Sequence, residues 1–111
     1  MTEPRVKAGL WVQIALRMGD LAGRPGMVLR KGDADAGGVV VVLHGRAGVQ
    51  VLTQARTGDG APAWARGTGT DPVDQATADE YLARQLRRDP DLWVVEFETP
   101  DFVPPFEAKL I

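Results

Sequence analysis

Cysteine, serine and asparagine are missing from this 111-residue chain, and histidine occurs once, as His44. These gaps remove most of the side chains that carry covalent and acid–base chemistry. Without serine or cysteine, neither a Ser-His-Asp nor a Cys-His arrangement can be assembled. No thiolate is available to ligate zinc or attack a carbonyl. Threonine remains, but a threonine nucleophile needs an activating base or a free N-terminal amine. What is left is carboxylates, lysine, arginine and one imidazole, a set that argues against an enzyme. Long apolar runs are also missing. The longest, Val39-Val40-Val41-Val42-Leu43, is strand-sized and far short of the roughly 18 residues that a membrane helix needs. Met1-Thr2-Glu3-Pro4-Arg5 opens directly into mixed sequence, with no apolar signal-peptide core. Together with the lack of cysteine, this sets a cytoplasmic location as the expectation.

What is present fits a single folded unit. The hydrophobic fraction is 44%, ordinary for a globular protein, and the length suits one core rather than two. Net charge is −2 but uneven: residues 1–57 carry +4 and residues 58–111 carry −6. That asymmetry permits a basic face, yet the acidic total is unlike the strongly basic footprint of a nucleic-acid binder. Attraction between the halves within one fold is the simpler reading.

Periodicity gives two helices and about five short strands. Over residues 9–22, Trp11, Ile14, Met18, Leu21 and Ala22 repeat at helical spacing, and Gly23 with Pro25-Gly26 ends the segment. Met27–Lys31 reads as a strand, and Gly32 to Gly38 as turn chemistry. The unbroken Val39–His44 strand implies burial on both faces. Val49–Gln54 and Ala61–Arg66 follow as further strands. A second helix begins near Thr77-Ala78-Asp79-Glu80, which fits a capping box. It presents Ala78, Tyr81, Leu82, Gln85 and Leu86 inward and ends on Arg84, Arg87 and Arg88, before Asp89-Pro90. In Leu92–Glu98, Trp93, Val95 and Phe97 face one way, and Val94, Glu96 and Glu98 the other.

The expected architecture is α+β: an antiparallel sheet of four or five strands with two helices on one face, because the connections between residues 31 and 66 are hairpin-length. Residues 1–98 form the domain and 99–111 a tail rich in proline and phenylalanine. Trp11, Ile14, Met18, Val40, Val42, Val51, Leu82, Leu86, Trp93 and Val95 are the expected core.

Three segments together resemble the family known as domain of unknown function 1491, small bacterial proteins. They are Gly9-Leu10-Trp11-Val12, Arg30-Lys31-Gly32-Asp33 with Ala36-Gly37, and Tyr81-Leu82-Ala83-Arg84 followed by Asp89-Pro90-Asp91-Leu92-Trp93-Val94-Val95-Glu96. The resemblance spans roughly residues 5–98 and implies a single α+β domain. It brings no activity, cofactor or catalytic residue with it.

Each motif with possible chemistry has a plainer explanation. In Asp33-Ala34-Asp35-Ala36-Gly37-Gly38, the spacing of a calcium loop fails, because Gly37 and His44 fall where oxygen ligands are required; a turn is the better reading. Glycines in Gly19–Gly26 and Gly67–Thr70 match no nucleotide fingerprint. His44 ends the most apolar strand, where a lone histidine is more often structural. Glu96 and Glu98 share a strand face that reads as solvated. No metal, cofactor or catalytic residue is assigned. Arg17, Arg84, Arg87 and Arg88 are the candidate anion contacts, against the simpler reading of helix-end complementation.

Phe102-Val103-Pro104-Pro105-Phe106 stands out. Its prolines enforce an extended backbone and its two rings need cover, so Phe102, Pro104, Pro105 and Phe106 are the candidate interaction residues. The leading functional expectation is a non-catalytic protein-interaction module, self-association included. The alternative is a small RNA- or nucleotide-binding domain using the basic N-terminal half and the second-helix arginines.

Overall fold

The computed structural model describes residues 7–111. Helix α1 (Ala8–Leu21) leads into strand β1 (Gly26–Arg30), then β2 (Val39–His44), β3 (Val49–Arg56), β4 (Pro62–Arg66), helix α2 (Gln75–Arg88) and β5 (Trp93–Glu98). The five strands form one sheet in the order β1-β5-β2-β3-β4. Three of the four pairings are antiparallel; β2 and β5 run parallel, Val39 opposite Trp93 and His44 opposite Glu98. The short links between residues 31 and 66 do prevent parallel crossovers there. The one parallel pair comes from β5, which returns across the sheet only after α2.

The expectation that both helices share one face is corrected. Alternate residues of a strand point to opposite faces. Val39, Val41, Leu43, Val95 and Phe97 pack with Ala8, Val12 and Ala15 of α1. Val40, Val42, Val49, Val51 and Val94 pack with Ala78 of α2. The helices therefore cover opposite faces. The valine run requires this: all five residues of Val39–Leu43 are buried, and a strand buried on both sides needs a cover on each.

Strand β5 occupies a gap between β1 and β2. The 31–38 connection arches over its start, where Asp33 N–H donates to Asp91 O at 3.0 Å and Trp93 Nε1 donates to Asp33 O at 2.8 Å. Gly32 and Gly37 lie so close to this crossing that a Cβ would sit 2.2 and 2.5 Å from the Asp91 carbonyl oxygen. The Asp33 carboxylate accepts from Ala36 N–H at 2.7 Å, the turn geometry that aspartate favours. Gly9 N–H donates to Ala34 O at 2.9 Å. All three segments that carry the family resemblance thus meet at one place, the entry of β5.

Helix α2 begins one turn earlier than the capping-box reading. Asp74, not Thr77, is the cap, and its carboxylate accepts from Thr77 N–H at 2.8 Å. Hydrogen bonding from the Thr77 hydroxyl, with that backbone N–H, holds the Asp74 carboxyl below its usual pKa.

Helix α1 corrects the expected core. Its buried stripe is Ala8, Val12, Ala15 and Gly19, four small residues that let the helix lie close to the sheet. A Cβ on Gly19 would meet the Phe97 ring at 2.9 Å. Ile14 and Met18, expected inside, are 46% and 39% exposed. Val40, Val42, Val51, Trp93 and Val95 are buried as expected, while Trp11, Leu82 and Leu86 are partly buried against the two cores.

Candidate interaction surface

Only Gln13, Arg17 and Asp20 are polar in the whole of α1. At helical spacing these three fall on one narrow strip, roughly opposite the buried stripe. Between that strip and the core lies a second apolar stripe that the sheet does not cover: Leu10 (53% exposed), Ile14, Met18 and Leu21 (77% exposed). A helix that is apolar over most of its circumference is normally buried on most of it. Here the small residues are buried and the large ones are bare.

Strand β1 exposes apolar side chains of its own, at the sheet edge opposite β4. It is an edge strand, and Met27, Val28, Leu29 and Arg30 are all exposed. Val28 pairs with Val95, a residue of the α1-side core, so Val28 lies on the α1 face. A bulge between Val28 and Arg30 places Leu29 as an extra residue. Among the described residues nothing covers this edge.

The opposite edge is treated differently. The C-terminal tail lies along β4: Trp64 N–H donates to Lys109 O at 2.7 Å, Ile111 N–H donates to Trp64 O at 2.9 Å, and Trp64 and Leu110 form a parallel bridge. Phe106 is buried in an aromatic box, with ring centroids 5.1 Å from Trp11, 5.6 Å from Trp64 and 5.9 Å from Phe97. Phe102 packs where a Cβ on Gly45 would be 2.4 Å from its ring and adopts φ 61, a left-handed conformation that costs a non-glycine residue about 1–3 kcal/mol. Pro104 and Pro105 are half-buried. The tail named from sequence as a candidate interaction segment therefore docks on its own domain.

A clasp missed in the sequence holds the start of the tail. Arg24, in the loop after α1, donates to both carboxylate oxygens of Asp101, at 2.7 and 3.2 Å, and to the Thr99 hydroxyl. Buried Thr99 donates to Val103 O at 2.8 Å. The Arg24 hydrogen bond, aided by Val103 N–H, pulls the Asp101 carboxyl down to about 2. The Thr99-Pro100-Asp101 turn chemistry was the available signal; nothing local pointed to Arg24.

The four candidate anion contacts do not converge. Arg17 is on α1, while Arg84, Arg87 and Arg88 are on α2, across the sheet. Arg84 sits over the Tyr81 ring at 5.9 Å, and Arg88 lines a hollow of about 410 Å³ with Gln85, Thr53 and Gln54. His44 and Glu98 end the parallel strands side by side, in an open depression of about 340 Å³ shared with Arg46 and Thr99. His44 Nε2 lies 3.1 Å from Gln75 Oε1, which ties the ring to α2. Among the described residues no three His, Asp or Glu side chains are grouped to hold a metal ion.

Comparison with known proteins places this geometry among relatives. A family model described as a protein of unknown function (DUF1491) matches residues 6–107, so the match reaches into the docked tail. A crystal structure of a DUF1491 family protein from Caulobacter crescentus CB15 is 32% identical, covering 96% of this chain and 100% of that one, with a TM-score of 0.84. An NMR structure of a DUF1491 family protein from the same organism is 31% identical over 98% and 99% of the two chains, with a TM-score of 0.83. A solution structure of a protein from A. tumefaciens, 24% identical over 95% of each chain, shares the fold with a TM-score of 0.79. No curated protein matches.

Proposed function

The chain belongs to the DUF1491 family of proteins of unknown function, and on that premise we propose that it is a non-catalytic protein-interaction module working through the outer apolar face of α1. The observation that carries this reading is the inverted helix. Large apolar residues are left bare where polar ones would cost the fold nothing, and soluble proteins rarely expose such a stripe unless it binds something. The partner surface differs from the one the sequence suggested, since the tail is spent on its own domain. No helix among the described residues is long and apolar enough to cross a membrane. On this reading the partner is a protein met in the cytoplasm, a location that fits a chain without cysteine.

A photo-crosslinking residue at position 21 tests this in the cells of origin. Discrete protein adducts are expected from position 21 and not from position 87 on α2. Nuclease-sensitive adducts, or salt-sensitive retention of the protein on RNA, would favour the RNA-binding alternative, because phosphate contacts weaken steeply with salt. Absence of any adduct from a folded protein would contradict the proposal.

A further inference from the structure

We infer that the depression at the carboxyl ends of β2 and β5 is a binding site for a small zwitterion of the α-amino-acid class. Arg46 takes the carboxylate, and Glu98, joined by His44, takes the ammonium group. The inference is independent of the α1 face and goes beyond the interaction-module reading.

Topology makes the depression. β2 and β5 are the one parallel pair of strands in the sheet, so their carboxyl ends lie side by side. From there the two chains part. β2 enters the Gly45–Gly48 turn towards β3, and β5 leads through Thr99-Pro100 into the tail that reaches β4. Crevices outside the carboxyl ends of parallel strands, where connections diverge, are the habitual ligand sites of open sheets. This one is held in shape by its own backbone. Thr99 N–H donates to His44 O at 3.0 Å, and Arg46 N–H to Pro100 O at 3.2 Å. Buried Thr99 is fixed in turn by hydrogen bonds with Arg24 and Val103. The volume, about 340 Å³, is at the small end of ligand pockets. It suits a molecule of amino-acid size and not a nucleotide.

Helix α2 fixes the tautomer of His44. Alternation along the strands puts His44 and Glu98 on the α2 face. Gln75, the first residue of α2, donates through Nε2 to the Asp79 carboxylate at 2.8 Å. An ionised carboxylate only accepts, so the Gln75 amide must present Oε1 to His44, 3.1 Å from its Nε2. Oε1 also only accepts, so Nε2 carries the hydrogen. The neutral ring therefore keeps its lone pair on Nδ1, as an acceptor. The Asp79–Gln75–His44 chain orients the ring as outer partners orient a ligand-binding histidine.

Charge gives the class of ligand. Arg46 and Glu98 both line the depression, and both are exposed. Neither belongs to an ion pair among the described residues, with the other or elsewhere. Two opposite charges that border one hollow without meeting leave room for a ligand carrying both signs in reverse. Glu98 repels a simple anion, and Arg46 a simple cation. A metal ion finds no third ligand among the described residues. A zwitterion satisfies all three side chains. Its carboxylate meets the guanidinium, and its ammonium group, which has donors and no acceptor, meets the Glu98 carboxylate and the imidazole Nδ1.

Titration of the isotope-labelled full chain with L-alanine to about 50 mM, followed by amide NMR shifts, tests the site. The contacts are exposed, so a millimolar Kd is expected. Saturable shifts should centre on residues 44–46, 98 and 99. Acetate and ethylammonium, each carrying half of the ligand, should bind at least about tenfold more weakly. Arg46→Gln and Glu98→Gln should each weaken L-alanine about tenfold, the loss of one charge-assisted contact. Both positions are exposed, and the rest of each spectrum should stay as in wild type. If either variant misfolds, the half-ligand comparison on wild type decides alone. Long-range nitrogen–proton spectra of the imidazole should show His44 as the Nε2–H tautomer, and Gln75→Ala should mix the tautomers and weaken L-alanine a few-fold. No saturable shift overturns the inference, as do shifts centred elsewhere or full affinity in either folded glutamine variant. Acetate binding as tightly as L-alanine also overturns it, because Arg46 would then be a bare anion contact. An Nδ1–H tautomer overturns the assignment of His44.

Discussion

Arg24 grips Asp101 across 77 positions of sequence, with hydrogen bonds of 2.7 and 3.2 Å to its two carboxylate oxygens. This contact ties the loop after α1 to the start of the tail, and through Thr99 to the end of β5. It has a pH signature. The Asp101 carboxyl titrates near 3.8 when unfolded and near 2 when folded. A depressed folded value means that its contribution is complete above the unfolded value and is lost as pH falls through the folded one. Replacing Arg24 with Ala should lower the melting temperature at about pH 6, and the gap from wild type should close as the pH drops from about 4 to about 2. Thermal melts across that range check it; a gap independent of pH would show that the clasp is not electrostatic.

The docked tail makes a prediction about mass as well as stability. Phe106 fills the box formed by Trp11, Trp64 and Phe97, so Phe106→Ala should cost about 3–5 kcal/mol, as buried aromatic truncations do. Deleting residues 100–111 should lower the melting temperature without changing the mass in sedimentation. Conversion of a dimer to a monomer by this deletion would mean that the tail reaches a neighbouring copy.

The entry of β5 depends on two glycines and an indole. Gly32→Ala would place a methyl group 2.2 Å from the Asp91 carbonyl oxygen, a backbone clash that must displace the 31–38 arch. Trp93→Phe keeps the ring volume partly filled but removes the 2.8 Å hydrogen bond to the Asp33 carbonyl, which then accepts from Gly37 N–H alone, at a cost of about 0.5–1.5 kcal/mol. Denaturant titration of both variants checks this; wild-type midpoints would mean that the arch is not held by the crossing.

How far the sequence anticipated the fold is best seen in particular residues. Val39 to Leu43 announced burial on both faces, and the structure places one helix against each; two helices on one face was inconsistent with that run. The two rings of the tail announced cover, which Phe106 found within its own chain. The phase of α1 was misread because large apolar residues were taken to point inward. Periodicity fixes the spacing of a stripe but cannot choose between two apolar stripes, and close packing against Phe97 selected the small one. The insertion of β5 between β1 and β2 joins residues more than fifty positions apart, and Gly32 and Gly37 looked like ordinary turn glycines. For the same reason Arg24 and Asp101 gave no local hint of each other. The candidate surface was thus half visible: Ile14 and Met18 were named, but assigned to the interior.

The reading of α1 as a binding face rather than a core face comes down to separating folding from association. The measurement is the melting temperature and the native mass, in extract of the source cells, of Ile14→Glu/Leu21→Glu beside Val12→Glu. Both double-variant positions are exposed and Val12 is buried. The double variant should melt within a few degrees of wild type and fall to the monomer mass, while wild type runs larger and Val12→Glu fails to fold. A double variant that unfolds like Val12→Glu, or a native mass that the two glutamates leave unchanged, would contradict the assignment of this face to binding.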